Sequence, residues 1–526
     1  MEIRRGILTQ AKVWKMRKYR MYFPFFILHD WGKRSAEARC PHPAVLPLET
    51  PLGRKTQGLF FPRKKTTERM IYMAGNEKQD MGSGSVKKLM AKMAVPALVA
   101  QLVNLLYNIV DRIYIGHLPE VGALALTGVG LFTPILMLLT AFAMLAGAGG
   151  APRAAIAMGK GDMETAERIV GNCFTVLLGL AAVLTGVVYA FAPQLLQLFG
   201  ASDATLPYAV SYGRIYLLGT VFVLIVMGMN TFITTQGFAR ISMLTTVIGA
   251  VINIVLDPIL MFGFHMGVRG AAIATVLSQA VSAVWILRFL TGKKTVLRLK
   301  ASNMRLRRQV ILPCLGLGAS SFVMVSTESV LSVCFTSSLS RYGGDVAVGA
   351  MTVLTSINQL ITMPLSGICQ GGQPLISYNY GAGKRERVKE AFFCQFAVCV
   401  AYTTVFWAAL MLVPRFFASI FTNDAQLVRY TAWAIRIFLA CGFSVGFQIS
   451  CQQAFMALGQ AKMSLLMACL RKLILLIPLI FILPPFFADK AMAVFLAEPV
   501  SDFAAAAVTT LAFFHLFRKL MKGEKA

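Results

Sequence analysis

Charge is scarce in this 526-residue chain: Asp, Glu, Lys and Arg together make up 14%, against 57% hydrophobic residues. A soluble domain carries nearer to about 25% charge, so a water-soluble globular fold is excluded at the outset. Histidine is rarer still, and His29, His42, His117, His265 and His515 lie in the basic N-terminal stretch or near the ends of apolar runs. No metal centre or Ser–His centre can assemble from them. The ten cysteines are scattered through apolar stretches with no CxxC spacing, which supports neither a zinc site nor a disulfide framework and reads them as small buried hydrophobes. No Walker A motif is present, so direct drive by ATP is unsupported. YGGD (342–345) and GKGD (159–162) have the glycine–aspartate look of an intramembrane protease, but both are expected in loops, and no enzyme is expected.

Apolar length is abundant, and mean hydropathy is +0.66. From Leu89 onward about twelve apolar spans alternate with short polar breaks, near 89–115, 122–146, 168–191, 207–235, 240–264, 269–291, 309–340, 345–368, 388–413, 427–457, 462–487 and 491–518. Each exceeds the roughly 20 residues needed to cross a bilayer. The reading is an all-α polytopic membrane protein. Its divisions are a basic extension (1–80), a first lobe of six spans (81–295), a basic linker (296–308) and a second lobe of six spans (309–526).

The formal net charge of +28 would suggest nucleic acid in a soluble protein. Its distribution says otherwise. Loops on one side of the twelve spans hold 21 Lys and Arg, and those on the other hold 5. That asymmetry is the positive-inside signal; it places both termini and the linker in the cytoplasm and the spans in the cell (inner) membrane. No nucleic-acid partner is expected; the lipid bilayer is the partner, and the chain is expected to act as a monomer. Residues 1–69 carry 16 Lys and Arg against 5 Asp and Glu. MYFPFFIL (21–28) has a faint likeness to a signal peptide but is short and broken by Pro24. This segment reads as disordered, or as upstream sequence translated from a miscalled start, with Met70 or Met73 as natural starts.

The chain repeats itself. GGAPRAAIAMGKGDMETAERI (149–169) aligns with GGQPLISYNYGAGKRERVKEA (371–391), at an offset of 222 that also sets Arg214 on Arg436 and Gly237 on Gly459. VPAL (95–98) aligns with LPCL (312–315) at an offset of 217, and a longer loop before the eighth span would absorb the five-residue difference. Two six-span halves that start on the same side form a parallel repeat about an axis along the membrane normal, and a substrate path is expected between them.

Within this apolar scaffold, NLLYNIVDRIYIG (104–116) holds a carboxylate. At 100° per residue, Gln101, Asn104, Asn108 and Asp111 fall within an arc of about 80°. Lipid could not satisfy such a stripe, so it must face protein or water. The fifth span places Asn253 and Asp257 on one face at i, i+4, with Pro258 immediately after to free the carbonyl of Ile254. Counting from the span ends, Asp111, Asp257 and Thr275 lie about 8–10 Å below the same membrane boundary. The repeat sets Glu328 on Asp111 and Leu479 on Asp257, so the halves differ in chemistry. Glu498 and Asp502 share a face of the last span in a role best read as structural. Arg471 and Lys472 of the eleventh span have no assigned role, and snorkelling from its inner half is their plain account. The 27 Met and 37 Phe permit a pliable cavity for varied hydrophobic molecules, although most are expected to face lipid.

PALVAQLVNLLYNIVDRIYIGHL (96–118), NIVLDPILMFGF (253–264) and the GxG loops at 159–161 and 381–383 resemble the multidrug and toxic compound extrusion (MATE) family, and within it the MepA-like multidrug branch. The resemblance runs from 81 to about 520, with MGSGSVKKL (81–89) similar to the usual lead into the first helix. It implies two six-helix bundles in a V, related by a pseudo-two-fold axis. It also implies efflux of lipophilic, mostly cationic drugs by alternating access, in exchange for H+ or Na+ and with no other cofactor. The residues it assigns to the coupling ion, a proton or Na+, are Asp111, Asn253, Asp257 and Thr275, with Glu328 as a secondary carboxylate of the second lobe. Gln101, Asn104 and Asn108 are the substrate-cavity candidates. Relatives complete a second-lobe sodium site with an Asp of the tenth helix; IRIFLACGFSVGFQISCQQAFMALG (435–459) has no acid, so that site is not expected here. The rival reading is a flippase for lipid-linked oligosaccharides on a related two-bundle fold, which would want cationic side chains lining the cavity.

Overall fold

The computed structural model describes residues 79–119, 121–422 and 424–523. The expectation for the basic extension therefore lies, but for its last two residues, outside the described residues. Among the described residues every regular element is helical.

In the first half, spans one to three are Val86–Gly116, Gly122–Gly159 and Met163–Ala190. The fourth is broken: Leu206–Leu218 and Thr220–Thr235 meet at 58°. The fifth, Ala239–Pro258, passes directly into a π-helical turn, Ile259–Gly263, because Pro258 cannot donate the hydrogen bond that would continue the α-helix. Gly270 of the sixth span, Gly267–Thr291, packs on that turn; a Cβ there would lie 2.8 Å from the carbonyl carbon of Leu260.

In the second half, helical bonding runs from Arg308 to Gly381, 74 residues, about 110 Å if straight. Gly344 (φ 62°, ψ −162°) folds it into spans seven and eight. The ninth is Arg385–Leu412, the tenth pairs Ala425–Phe438 with Ser444–Ala457, and the twelfth is Lys490–Lys522. The eleventh joins Ala461–Cys469 to Ile477–Ile482 through a π-helical stretch, Leu470–Leu476. Length and apolarity pick out nine single helices plus the bent fourth pair among the described residues. Dividing the long helix at Gly344 and joining the two halves of the tenth span gives twelve.

The repeat is conformational as well as sequential. Gly161 and Gly383 have φ +81° and +70°, and Gly237 and Gly459 have +92° and +73°. Side chains rarely adopt that region, so both halves spend glycine at the same two turns. Short helices Ala192–Leu198 and Pro414–Ser419 occupy matching places after the third and ninth spans. One expectation is corrected. The five extra residues of the second half do not form a longer loop; they extend the seventh helix, which reaches Gly344 with no loop before the eighth.

The helices also overshoot the apolar runs. The second ends at Gly159 rather than near 146, and the eighth at Gly381 rather than near 368. Hydrocarbon sets where apolar sequence stops, but a helix can continue into water. At this end Gly159 and Gly381 cross the other half, where a Cβ would lie 2.0 Å from the Tyr378 carbonyl oxygen and 2.1 Å from that of Ile156. One apolar core fills the first half and continues through this end into Phe392, Phe455 and Phe513 of the second; a separate core, with Leu331, Phe335 and Phe495, occupies the far end of the second half. The lobes are thus packed together at the end where Gln79 and Gly523 lie. Outward-pointing apolar side chains such as Val405 (70% exposed) and Leu511 (73%) form the surface a bilayer would cover.

Candidate functional site

Three helices of the first lobe build a polar cluster in its apolar interior. Asn253 and Asp257, one turn apart on the fifth span, are both buried, as is Thr275 of the sixth. Asn253 Nδ2 donates to Asp257 Oδ1 (3.2 Å) and lies 3.4 Å from Thr275 Oγ1, while Thr275 donates to the Ala271 carbonyl (3.0 Å). Asp111, half-buried on the first span, is within Coulombic reach of Asp257. Neither carboxylate forms an ion pair among the described residues; the adjacent Arg112 turns outward and is exposed.

Three oxygens in this cluster are buried and unbonded: Asp111 Oδ1, Asp257 Oδ2 and Asn253 Oδ1. All three can only accept, apart from a protonated carboxyl, and burying such atoms without a partner costs several kcal/mol in order of magnitude. What would satisfy them is a hydrogen-bond donor or a positive charge, and the chemistry of three converging oxygens suits a proton on a carboxyl or a hard cation that takes oxygen ligands. Tyr107, one turn before Asp111, and Tyr212 of the fourth span, which lies against Thr275, close the cluster with phenols. Sequence reasoning passed over both, although the i, i+4 spacing of Tyr107 and Asp111 was a usable signal.

Asn253 also faces a cavity of about 330 Å³ between the lobes. Gln101, Asn104, Asn230 and Gln279 line it from the first lobe, and Gln370, Gln373 and Gln453 from the second. Gln101 Nε2 donates across the lobes to Gln370 Oε1 at 3.3 Å. Met144, Met227 and Met324 supply apolar wall, and the described lining contains no Lys, Arg, Asp or Glu. A neutral, amide-rich wall solvates a weakly hydrated organic ion of low charge density but gives a pyrophosphate no counter-charge. Asn108 corrects an expectation: it does not line this cavity, because its Nδ2 turns back to the Asn104 carbonyl (2.7 Å). Tyr107 stands on the wall instead.

The second lobe is different. Glu328 is on the cavity-side face of the seventh span, one turn beyond Met324, but it is bonded to Lys472. Lys472 also donates to the Met324 carbonyl (2.8 Å). Arg471 Nε donates to Asp502 Oδ1 (2.7 Å), and its Nη2 lies 3.6 Å from Glu498 Oε1. The snorkelling expectation is overturned. Arg471 and Lys472 are buried, and the π-helical stretch carrying them turns two successive cations inward onto three acids. The pairing of Glu498 and Asp502 at i, i+4 is what Arg471 recognises.

A family model described as MatE matches residues 96–259 and 320–482, which are the two repeats. The chain belongs to the MatE family. Among its MatE relatives, the "Multidrug export protein MepA" of Staphylococcus haemolyticus is 24% identical over 423 residues, 80% of this chain and 92% of that protein. The protein of the same name from Staphylococcus saprophyticus is 25% identical over 431 residues, 81% of this chain and 94% of that one. A solved structure of a MOP superfamily transporter from Pyrococcus furiosus superposes with a TM-score of 0.78 at 24% identity, covering 84% of this chain and 98% of that one. The twelve-helix, two-bundle fold is therefore that of the MATE transporters, and this MatE chain is a multi-pass membrane protein.

Proposed function

We propose that this transporter is a multidrug efflux antiporter. It exports lipophilic, mostly cationic compounds in exchange for inward H+ or Na+, as a monomer in the cell (inner) membrane with both termini cytoplasmic. The observation that carries the reading is the pair Asp111 and Asp257, with buried acceptor oxygens left unbonded, joined through Asn253 to a neutral cavity between the lobes.

Asn253 belongs to both the acid cluster and the cavity. Its amide donates to Asp257, and it stands on the cavity wall. When the acids are ionised, their field reaches the cavity through Asn253 and favours an organic cation there. When a proton or Na+ neutralises them, the cation loses that attraction and the fifth span can repack about Pro258 and its π turn. The coupling ion is cargo, and Asp111, Asn253, Asp257 and Thr275 are the residues that would hold it. The names of the MepA relatives support drug export. The absence of cationic side chains from the described cavity lining weighs against the oligosaccharide flippase.

The test is ethidium efflux from everted vesicles under an imposed pH gradient and then a sodium gradient, with D111N and D257N beside the unaltered chain. One gradient should drive efflux, and each variant should lower it at least about tenfold at unchanged expression. Efflux driven by neither gradient, or normal efflux by both variants, removes the proposal.

A further inference from the structure

A second cleft, of about 520 Å³, lies away from the cavity, at the end of the second lobe opposite Gln79 and Gly523. Leu412, Arg415 and Phe416 line it from the turn after the ninth span, and Arg429, Trp433 and Arg436 line it from one face of the tenth. None of the three arginines has an ion pair or hydrogen bond among the described residues. Arg436 is 11 residues along its helix from Ala425, about 16 Å from where the tenth span begins. An arginine at that depth, in a chain read as membrane-spanning, needs an anion.

The apolar flank says which anion. Leu412 (79% exposed) and Phe416 (61%) stand beside the arginines and face outward. In a bilayer these side chains meet acyl tails; Arg415 and Arg429 lie near headgroup level, and Arg436, about 10 Å deeper on the same helix, extends its exposed side chain up toward them. The other lobe is an internal control. There, Pro193 and Pro207 occupy the repeat positions of Arg415 and Arg429, and the remaining arginine, Arg214, lies 5.6 Å over the ring of Tyr189. Two extra cations have been placed in one lobe alone, around a cleft with no counter-charge.

We propose that this cleft binds the phosphate headgroup of one anionic phospholipid in the leaflet opposite Gln79 and Gly523. Arg429 and Arg436 hold the phosphate oxygens, Arg415 closes the cleft, and Leu412 and Phe416 lie along the acyl chains. Guanidinium groups suit the task because their planar forks pair with two phosphate oxygens at once.

The experiment is native mass spectrometry of the full-length transporter exchanged into mixed phosphatidylglycerol and phosphatidylcholine. One phosphatidylglycerol should survive delipidation, phosphatidylcholine should not, and R415Q, R429Q and R436Q should each weaken retention about fivefold. R214Q should leave it unchanged. Equal retention of the two lipids, or unchanged retention in the three variants, overturns the proposal. Displacement of the lipid by inorganic phosphate at equal concentration also overturns it, because the site would then serve a free anion. Should the Gln variants fail to fold, photo-crosslinking of a diazirine phosphatidylglycerol to the unaltered chain decides: label within 412–436 supports the site, and label elsewhere only removes it.

Discussion

Glu328 and Lys472 form one ion pair but sit in unlike surroundings. The Glu328 side chain is 55% exposed and that of Lys472 only 5%. Removing the partner of a buried charge costs far more than removing the partner of a wet one, about 3 kcal/mol or more against about 1 kcal/mol or less. E328Q should therefore lower the thermal midpoint clearly, K472M should lower it little, and the double change should recover most of the loss. Equal losses in a thermal-shift assay would show that the environments are alike. Asp257 invites the opposite experiment. Its carboxylate is fully buried and has one oxygen unbonded. D257N removes the buried charge, so the midpoint should hold or rise, by about 1 kcal/mol in equivalent stability, while coupled transport falls. A variant that is both less stable and inactive would assign Asp257 a structural part instead.

At the level of elements, the repeat was readable because glycine has few substitutes. The turn pairs Gly161 with Gly383 and Gly237 with Gly459 stand at one offset because each needs positive φ. The first-lobe acids were also legible, since Asn253, Asp257 and Pro258 are neighbours in sequence and helical periodicity does the rest. Lys472 and Arg471 were not, because a π turn shifts the register by about one residue and sends adjacent side chains to different partners. No periodicity of an ideal helix contains that. Asn108 failed for a smaller reason: its amide found a carbonyl one turn back, and Tyr107 took the wall. The crossing glycines were visible in sequence, but their partners were not. Gly159 and Gly381 bring two helix backbones together at one end, and a methyl group at either meets a carbonyl oxygen near 2 Å. G159A or G381A should weaken closure of that end by about 1–3 kcal/mol, as overpacking does. The readout is labelling of a cysteine placed at Ile156, which should become faster. Unchanged labelling would mean that the helices shift sideways without parting.

Across the whole molecule, the leads into the two lobes are held crosswise. The segment before the first span is gripped by the second lobe: Arg387 donates to the carbonyls of Gly84 (2.7 Å) and Ser83 (3.0 Å), Lys384 to that of Gly82 (2.7 Å), and Asn379 to that of Met81 (2.9 Å). The linker before the seventh span is gripped by the first lobe. Gln236 Oε1 accepts from the backbone of Val296 and Leu297, Asn172 binds the carbonyls of Asn303 and Arg305 and the Arg307 amide, and Thr175 donates to the Met304 carbonyl. These straps lie at the end where the apolar core is continuous, so any opening at that end must work against both. The strap before the first span depends mainly on Arg387, whose fork spans three carbonyls and the Asn379 side chain. R387Q should cost about 1.5–3 kcal/mol locally, since its bonds are charge-assisted. It should speed hydrogen exchange at 81–85 and bias the transporter toward opening at the strapped end. R387K should rescue little, because one ammonium cannot reproduce the fork. If exchange at 81–85 is unchanged in R387Q while the linker at 303–307 is loosened, the first strap is held by Lys384 and Asn379, and closure of this end rests on the linker side.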